Sequence, residues 1–248
     1  MARVDQAVFL AAGRGVRLGP RGREIPKGFL EVGGTSLIER AVGLLNAAGI
    51  RDVTIVTGHL HAHYDALARR LPGVRTVHNP DFAESGSARS LAVGLAATEG
   101  PLLLLEADAI WEKAALTAVL RKTYPSLLLA SGPTGGGDEV WIWAQSGTPR
   151  PVLDFMSKRC ATRRGPPFGE LVGITRIGAA FRAALLATED RFFTSDPKGD
   201  YEDWLIAAAT RVPLPLRRID DLVWAEIDDE AMYARARATV WPRLAARE

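Results

Sequence analysis

LAAGRGVRLGPRGREIPKGFLEVGG, residues 10–34, decides how this chain reads, because an apolar run passes straight into a Gly/Arg loop that closes on Pro26-Lys27. Gly13 and Gly15 let backbone N–H groups approach an anion without a Cβ in the way. Arg14, Arg17, Arg21, Arg23 and Lys27 stand against one acid, Glu24. This charge asymmetry suits a polyphosphate. A dinucleotide fingerprint, G-x-G-x-x-G, opens directly into a helix, whereas Gly13 and Gly15 are followed by Gly19, Pro20 and Gly22, a run that no helix is expected to carry. A phosphate loop of the Gly-Lys-Ser/Thr kind is excluded as well, since Gly28 and Phe29 follow Lys27.

Working outward, the chain alternates strand and helix patterns. Ala7 to Ala12 is the first strand, and Ser36-Leu37-Ile38-Glu39 has capping-box spacing ahead of a helix that Gly49 ends. Strands at 53–57, 74–77 and 102–105 alternate with helices at 62–71 and 88–97. Continuous apolar strands with helices between them predict a Rossmann-like α/β fold, a mostly parallel sheet covered on both faces, with the ligand beyond the strand carboxyl ends. From Ser126 the strands shorten and alternate, at 127–130, 140–144, 152–156 and 170–174, which predicts a small mixed α/β substrate lobe. The expected division of one domain is a nucleotide-binding half over 1–125, a substrate lobe over 126–220, and a final strand and helix over 221–248.

A chain of 248 residues, 47% hydrophobic and 24% charged, suits one such enzyme domain, and a net charge of +2 gives no reason to expect a nucleic-acid partner. The single cysteine, Cys160, excludes an intramolecular disulfide framework. No apolar stretch reaches membrane-spanning length, and Gly-Arg falls where a signal-peptide cleavage site would be. A cytoplasmic location without a membrane partner is expected, and a homodimer is compatible.

Glu106-Ala107-Asp108 directly follows four leucines, so its carboxylates leave a buried strand facing the crevice and suit Mg²⁺, which takes one or two carboxylates plus phosphate oxygens. Asp108 would equally cap a helix starting near Glu112. His59, His61 and His63 spread over different helix faces and are not expected to bind metal, and Cys160 lacks the partners of a nucleophile.

Leu10, Ala11, Ala12, Gly13, Gly15, Arg17, Pro26 and Lys27 together resemble the L-A-A-G-x-G-x-R and P-K signature of the sugar-nucleotide and cytidylyltransferase superfamily. Trp224-Ala225-Glu226-Ile227-Asp228 resembles its W/Y-x-E-I-D element, which implies Asp228 as a second Mg²⁺ ligand beside Asp108. Asp228 or Asp229 would otherwise cap the helix at 230–244. Asp138 to Trp143 and Gly199 to Trp204 are similar to the N-E-W-F and Y-W-D segments of the phosphocholine and 2-aminoethylphosphonate cytidylyltransferase group. The family's Asn-rich stretch is matched by His78-Asn79-Pro80-Asp81-Phe82, but Ser85-Gly86-Ser87-Ala88-Arg89 departs from it.

The resemblance implies CTP and a small phosphate or phosphonate as partners. Lys27 would hold the α-phosphate and Arg17 the leaving pyrophosphate, with Leu10 to Gly15 including Arg14, and Asn79, Ser85, Ser90 and Glu106, around the nucleotide. A cationic head group would meet Trp141, Glu139, Glu170, Tyr201, Glu202, Asp203 and Trp204, although about half of the tryptophans and tyrosines are expected in the core. A sugar-1-phosphate nucleotidyltransferase and a non-catalytic nucleotide-binding regulator are the alternatives.

Overall fold

The computed structural model describes residues 4–121 and 123–248. Its strands in chain order are β1 (Gln6–Ala11), β2 (Glu31–Val32), β3 (Thr35–Ser36), β4 (Asp52–Thr57), β5 (Val74–His78), β6 (Leu102–Glu106) and β7 (Ala109–Trp111). They continue with β8 (Leu127–Ser131), β9 (Trp141–Ala144), β10 (Leu153–Ser157), β11 (Gly169–Ile177), β12 (Leu216–Ile219) and β13 (Trp224–Glu226). Among the described residues, nine of these form one mixed sheet.

The strands of the first half of the chain pair in parallel, with β5 beside β4, β4 beside β1, and β1 beside β6. Period-two alternation gives each strand two buried faces. Phe9, Ile55, Leu103 and Leu105 pack on one side with helices Leu37–Ala47 and Lys113–Leu120. Val8, Val56, Leu102 and Leu104 pack on the other with helices Ser87–Ala96, Ala179–Leu186 and Tyr201–Ala209. Hence the strands read as unbroken apolar runs. Ser36 caps the first long helix, its Oγ accepting from Glu39 N–H at 3.3 Å and donating to Glu39 Oε2 at 2.6 Å.

The strands expected to form a lobe join this same sheet. β11 runs antiparallel to β6, pairs with β8 on its other edge, and β12 adds parallel to β8. β11 bends at Gly173, whose φ of +74° sits where a Cβ would lie 2.2 Å from Glu106 Oε2. Its first residues, Gly169 and Glu170, run past the end of β6 and pair with β9, which carries β10. Only the β9–β10 hairpin therefore overhangs the carboxyl edge.

One local expectation is corrected. A one-turn helix, Pro20–Glu24, does form inside the glycine and arginine loop: proline occupies its first turn, where a missing N–H costs nothing. Gly22 is needed there because a Cβ would meet Gly15 O at 2.1 Å. The terminal helix runs without interruption over 230–245, with a π-turn at Ala236–Val240 inside it. No described helix is long and apolar enough to cross a membrane.

β13 pairs antiparallel with β7, and Ile227 N–H donates to Asp108 O at 2.9 Å. This ties the late acid motif to the early one. The capping alternatives are resolved as well. Glu112 occupies the cap of helix Lys113–Leu120, and Asp229 Oδ1 accepts from Met232 N–H at 2.8 Å. Asp108 and Asp228 are left free of capping roles.

Candidate active site

A pocket of about 470 Å³ opens over the carboxyl ends of β1 and β6. Larger hollows lie around Asp5, Arg51 and Arg75 at the other end of the sheet (≈ 690 Å³) and beside Trp241 (≈ 910 Å³). Glu106, Glu202 and Glu226, the acids that burial and neighbouring carboxylates push up furthest, all line the smaller one.

Its floor is the glycine and arginine loop that follows β1. Gly15 adopts a left-handed turn at φ +61°, and the Cα of Gly13 faces open space. His59 clamps the loop from below: its N–H donates to Ala12 O at 3.2 Å, and its Nε2 lies 3.0 Å from Gly22 O. Behind it, Leu60 is held at φ +53°, a conformation that leucine rarely adopts.

Lys27 reaches up from this loop between both acid motifs, with Nζ 2.8 Å from Asp108 Oδ2 and paired with Asp228. Burial alone would lower its pKa, but the two carboxylates overcome that and hold the ammonium above the ordinary lysine range. Arg17 lies 2.5 Å from both Asp228 Oδ2 and Asp138 Oδ2, and Lys158 Nζ lies 2.7 Å from the same Asp138 oxygen. A chain of alternating charge thus runs from Asp108 to the end of β10. Burial pushes the Asp228 carboxyl up, but Lys27 and Arg17 bring it below the usual range.

The acids of Glu106, Asp108 and Glu226 have oxygens within 4.8 Å of one another. An all-oxygen set of this size and charge fits a hard divalent cation. Burial, then the neighbouring carboxylates, push Glu106 and Glu226 well up. Tyr201 donates its hydroxyl to Glu106 Oε1 at 2.6 Å. Glu202 is raised to about 8 by burial and by Glu106.

Of the residues expected from sequence, Leu10, Ala12, Gly13, Arg14, Lys27, Asn79, Ser85, Ser90, Glu106, Asp108, Tyr201, Glu202 and Asp228 line this pocket. Outside the lining, Ala11 ends β1, Gly15 turns the loop, and Arg17 reaches Asp228 from beside the pocket. Asn79 and Ser90 are buried and bonded to each other at 3.1 Å.

The expected tryptophan and acid cage is not assembled, and this corrects the sequence reading. Trp204 is fully buried, stacked on Phe192, with Nε1 donating to Thr188 Oγ1 at 3.1 Å. The reason is its place on an inward stripe of Tyr201, Trp204, Leu205 and Ala208 at helical spacing. Trp143 is also buried, and Trp141 is half-buried on β9 outside the pocket lining. Glu170 accepts from Thr134 N–H and Oγ1 at 2.7 and 2.9 Å, Glu139 accepts from Gly137 N–H at 3.0 Å, and Asp203 is exposed outside the lining. The three early histidines diverge: His59 to the loop, His61 to Asp65, and His63 to the ring of Phe29.

Glu226, Lys158, Asp138 and Asp200 are functional candidates that the sequence reading did not single out. Glu226 had a signal, since it precedes Asp228 by two residues and so shares its face on an extended segment. Lys158 has none, because only the β9–β10 overhang brings it to the pocket.

Residues 7–186 match the MobA-like NTP transferase domain family. The chain is 31% identical over 110 residues to 2-aminoethylphosphonate cytidylyltransferase of Lancefieldella rimae, covering 44% of this chain and 45% of that protein. It is 37% identical over 86 residues to choline-phosphate cytidylyltransferase of Streptococcus pneumoniae, covering 35% and 37%. Both matches span less than half of the relative's length. The fold is similar to that of the inositol-1-phosphate CTP transferase from T. maritima, with a TM-score of 0.78 at 15% identity, over 98% of this chain and 96% of that one.

Proposed function

Because the chain belongs to the MobA-like NTP transferase domain family, we propose that it transfers CMP from CTP to a small phosphate or phosphonate that carries a cationic head group. The observation that carries this reading is Lys27, which rises from the phosphate loop and bridges the acids of two distant motifs inside one pocket. The names of the two relatives support CTP as the donor.

Loop N–H groups with Arg14 and Arg17 hold the triphosphate, and Lys27 faces its α-phosphate. An oxygen of the acceptor, steadied by Lys158, forms a bond to the α-phosphorus. The bond from that phosphorus to the bridging oxygen breaks, and the electron pair leaves with pyrophosphate. Holding the two reactants in line and offsetting charge as it develops supply most of the rate. Glu106, Asp108 and Glu226 fit Mg²⁺, with Asp228 as the remaining ligand in this reading, and the ion when bound neutralises phosphate oxygens and polarises the α-phosphate.

Six carboxylates line the pocket against Arg14, Lys27 and Lys158, an excess that suits a metal and a cationic acceptor better than the neutral hydroxyls of a sugar 1-phosphate. The test is a pyrophosphate-release screen with Mg²⁺ and each of four nucleoside triphosphates against phosphocholine, 2-aminoethylphosphonate, 2-hydroxyethylphosphonate and sugar 1-phosphates. CTP with a cationic acceptor should give the highest kcat/KM. Preference for a sugar 1-phosphate would refute the reading.

A further inference from the structure

Pro26 leaves a gap in the loop that carries Lys27. Helix Pro20–Glu24 is one turn long, and the N–H that would bond Gly22 O in its next turn belongs to residue 26, a proline, which has none. Gly22 is buried, so its carbonyl needs another donor. His59 supplies one: its Nε2 lies 3.0 Å from Gly22 O, and because a carbonyl only accepts, that nitrogen carries the proton. The bond matters beyond Gly22. A Cβ on Gly22 would meet Gly15 O at 2.1 Å, and a Cβ on Gly15 would lie 3.6 Å from Gly22 Cα and 3.7 Å from Lys27 Cγ. The two glycine backbones and the stem of Lys27 therefore form one packed unit, to which His59 is bonded.

Resting on the function proposed above, we infer that His59 is a positioning residue for the transfer: it stands in for the N–H that Pro26 lacks, and so fixes Gly15 beneath the triphosphate and Lys27 at the α-phosphate. His59 itself stands outside the pocket lining, so its influence passes through Gly22 and Lys27. Two features of the same segment agree. On the other side of Lys27, Gly28 donates its N–H to the hydroxyl of buried Tyr64, so the segment after β4 grips the lysine from both flanks. Leu60, next to His59, is kept at φ +53° and ψ +34°, and strain of this kind persists where the surrounding structure demands it.

The experiment compares His59→Phe, which keeps a flat ring without a donor, with His59→Gln, whose amide nitrogen extends about as far as Nε2. The bond from residue 59 N–H to Ala12 O, at 3.2 Å, is made by the backbone and remains in both variants. Calorimetry with inorganic triphosphate, which needs the loop but neither base nor acceptor, reads the affinity. Pyrophosphate release with Mg²⁺, CTP and 2-aminoethylphosphonate reads kcat/KM. His59→Phe should weaken triphosphate binding about tenfold and lower kcat/KM for CTP at least as much, whereas His59→Gln should recover both to within about threefold of the wild type. A purely structural role would lower Tm alone. Triphosphate affinity of His59→Phe within about threefold of the wild type, or a glutamine variant no better than the phenylalanine one, overturns the inference. If the wild type transfers no CMP, the proposed function fails while the triphosphate affinities still decide His59; a wild type that does not bind triphosphate overturns both.

Discussion

Replacing Lys27 by methionine removes one positive charge from between two carboxylates while nearly keeping the side chain's length. The side chain is 19% exposed, its ammonium lies 2.8 Å from Asp108 Oδ2 and is paired with Asp228, whose side chain is 2% exposed, so water is a poor substitute for it. Breaking a buried ion pair by removing one partner costs about 3–5 kcal/mol. The loss here should be smaller, about 2 kcal/mol, because Arg17 still faces Asp228 and the upward-shifted Glu106 and Glu226 let the cluster hold protons. The kinetic effect is larger. Loss of a group that stabilises charge developing at the α-phosphate costs about 2.7–4 kcal/mol, or a hundred- to thousandfold in kcat. Pyrophosphate release at saturating CTP, Mg²⁺ and acceptor measures the rate, and a melting curve at the same pH measures the stability. A Lys27→Met enzyme with kcat within threefold of the wild type and only a lower Tm would refute the mechanism.

Asp108→Asn, Asp228→Asn and Glu226→Gln should each raise the Mg²⁺ concentration needed for half-maximal rate, because an amide keeps the shape but loses the charge. Unchanged Mg²⁺ dependence in any of the three removes that residue from the ligand set. Stability should fall as pH rises from about 5 to 8: Glu202 goes from an ordinary 4.5 to about 8 on folding, so the native state binds the extra proton and loses that advantage up to the higher value. Asp228 runs the other way, since its lowered pKa adds stability above the unfolded value that disappears as pH falls through the folded one. Chemical denaturation across pH 5–8 checks the sign, and a rise in stability over that range would refute the upward shift of the pocket acids Glu106, Glu202 and Glu226. The glycines of the loop should separate cleanly. Gly22→Ala puts a Cβ 2.1 Å from Gly15 O and should lower stability by about 1–3 kcal/mol, whereas Gly13→Ala meets no protein atom within 4 Å and should leave Tm alone while raising KM for CTP.

Much of this architecture was legible because local and global signals agreed. The apolar runs of β1, β4 and β6 demand burial on both faces, and the glycine and arginine loop after β1 has no plainer use than an anion. Asp108 was legible for the same reason, as an acid at the exit of a buried strand. The acceptor side was harder to read, because orientation there depends on contacts between remote segments. Nothing local distinguishes Glu170, spent on Thr134, from Glu202, which lines the pocket. Trp204 shows the complementary limit. Its neighbours Tyr201, Leu205 and Ala208 form an inward helical stripe, and that periodicity outweighs its resemblance to a binding aromatic.

The pairing of β13 with β7 bears on how the protein acquires its activity during folding. Val223 N–H donates to Glu112 Oε1 across 111 residues of chain, and Glu226 and Asp228 cannot reach Glu106 and Asp108 until that span has closed. Closing a loop of this length costs about 4 kcal/mol of chain entropy before any contact repays it. The parallel core of β1, β4 and β5 needs only the first third of the chain, so a native-like phosphate loop precedes the acid cluster in time. A chain stopped at residue 186, where the family match ends, would hold the loop and Lys27 but lack Glu202, Glu226 and Asp228. Assembly of the acid cluster therefore depends on residues 223–248 closing on residues 106–112, and a nascent chain would carry the glycine and arginine loop well before that cluster.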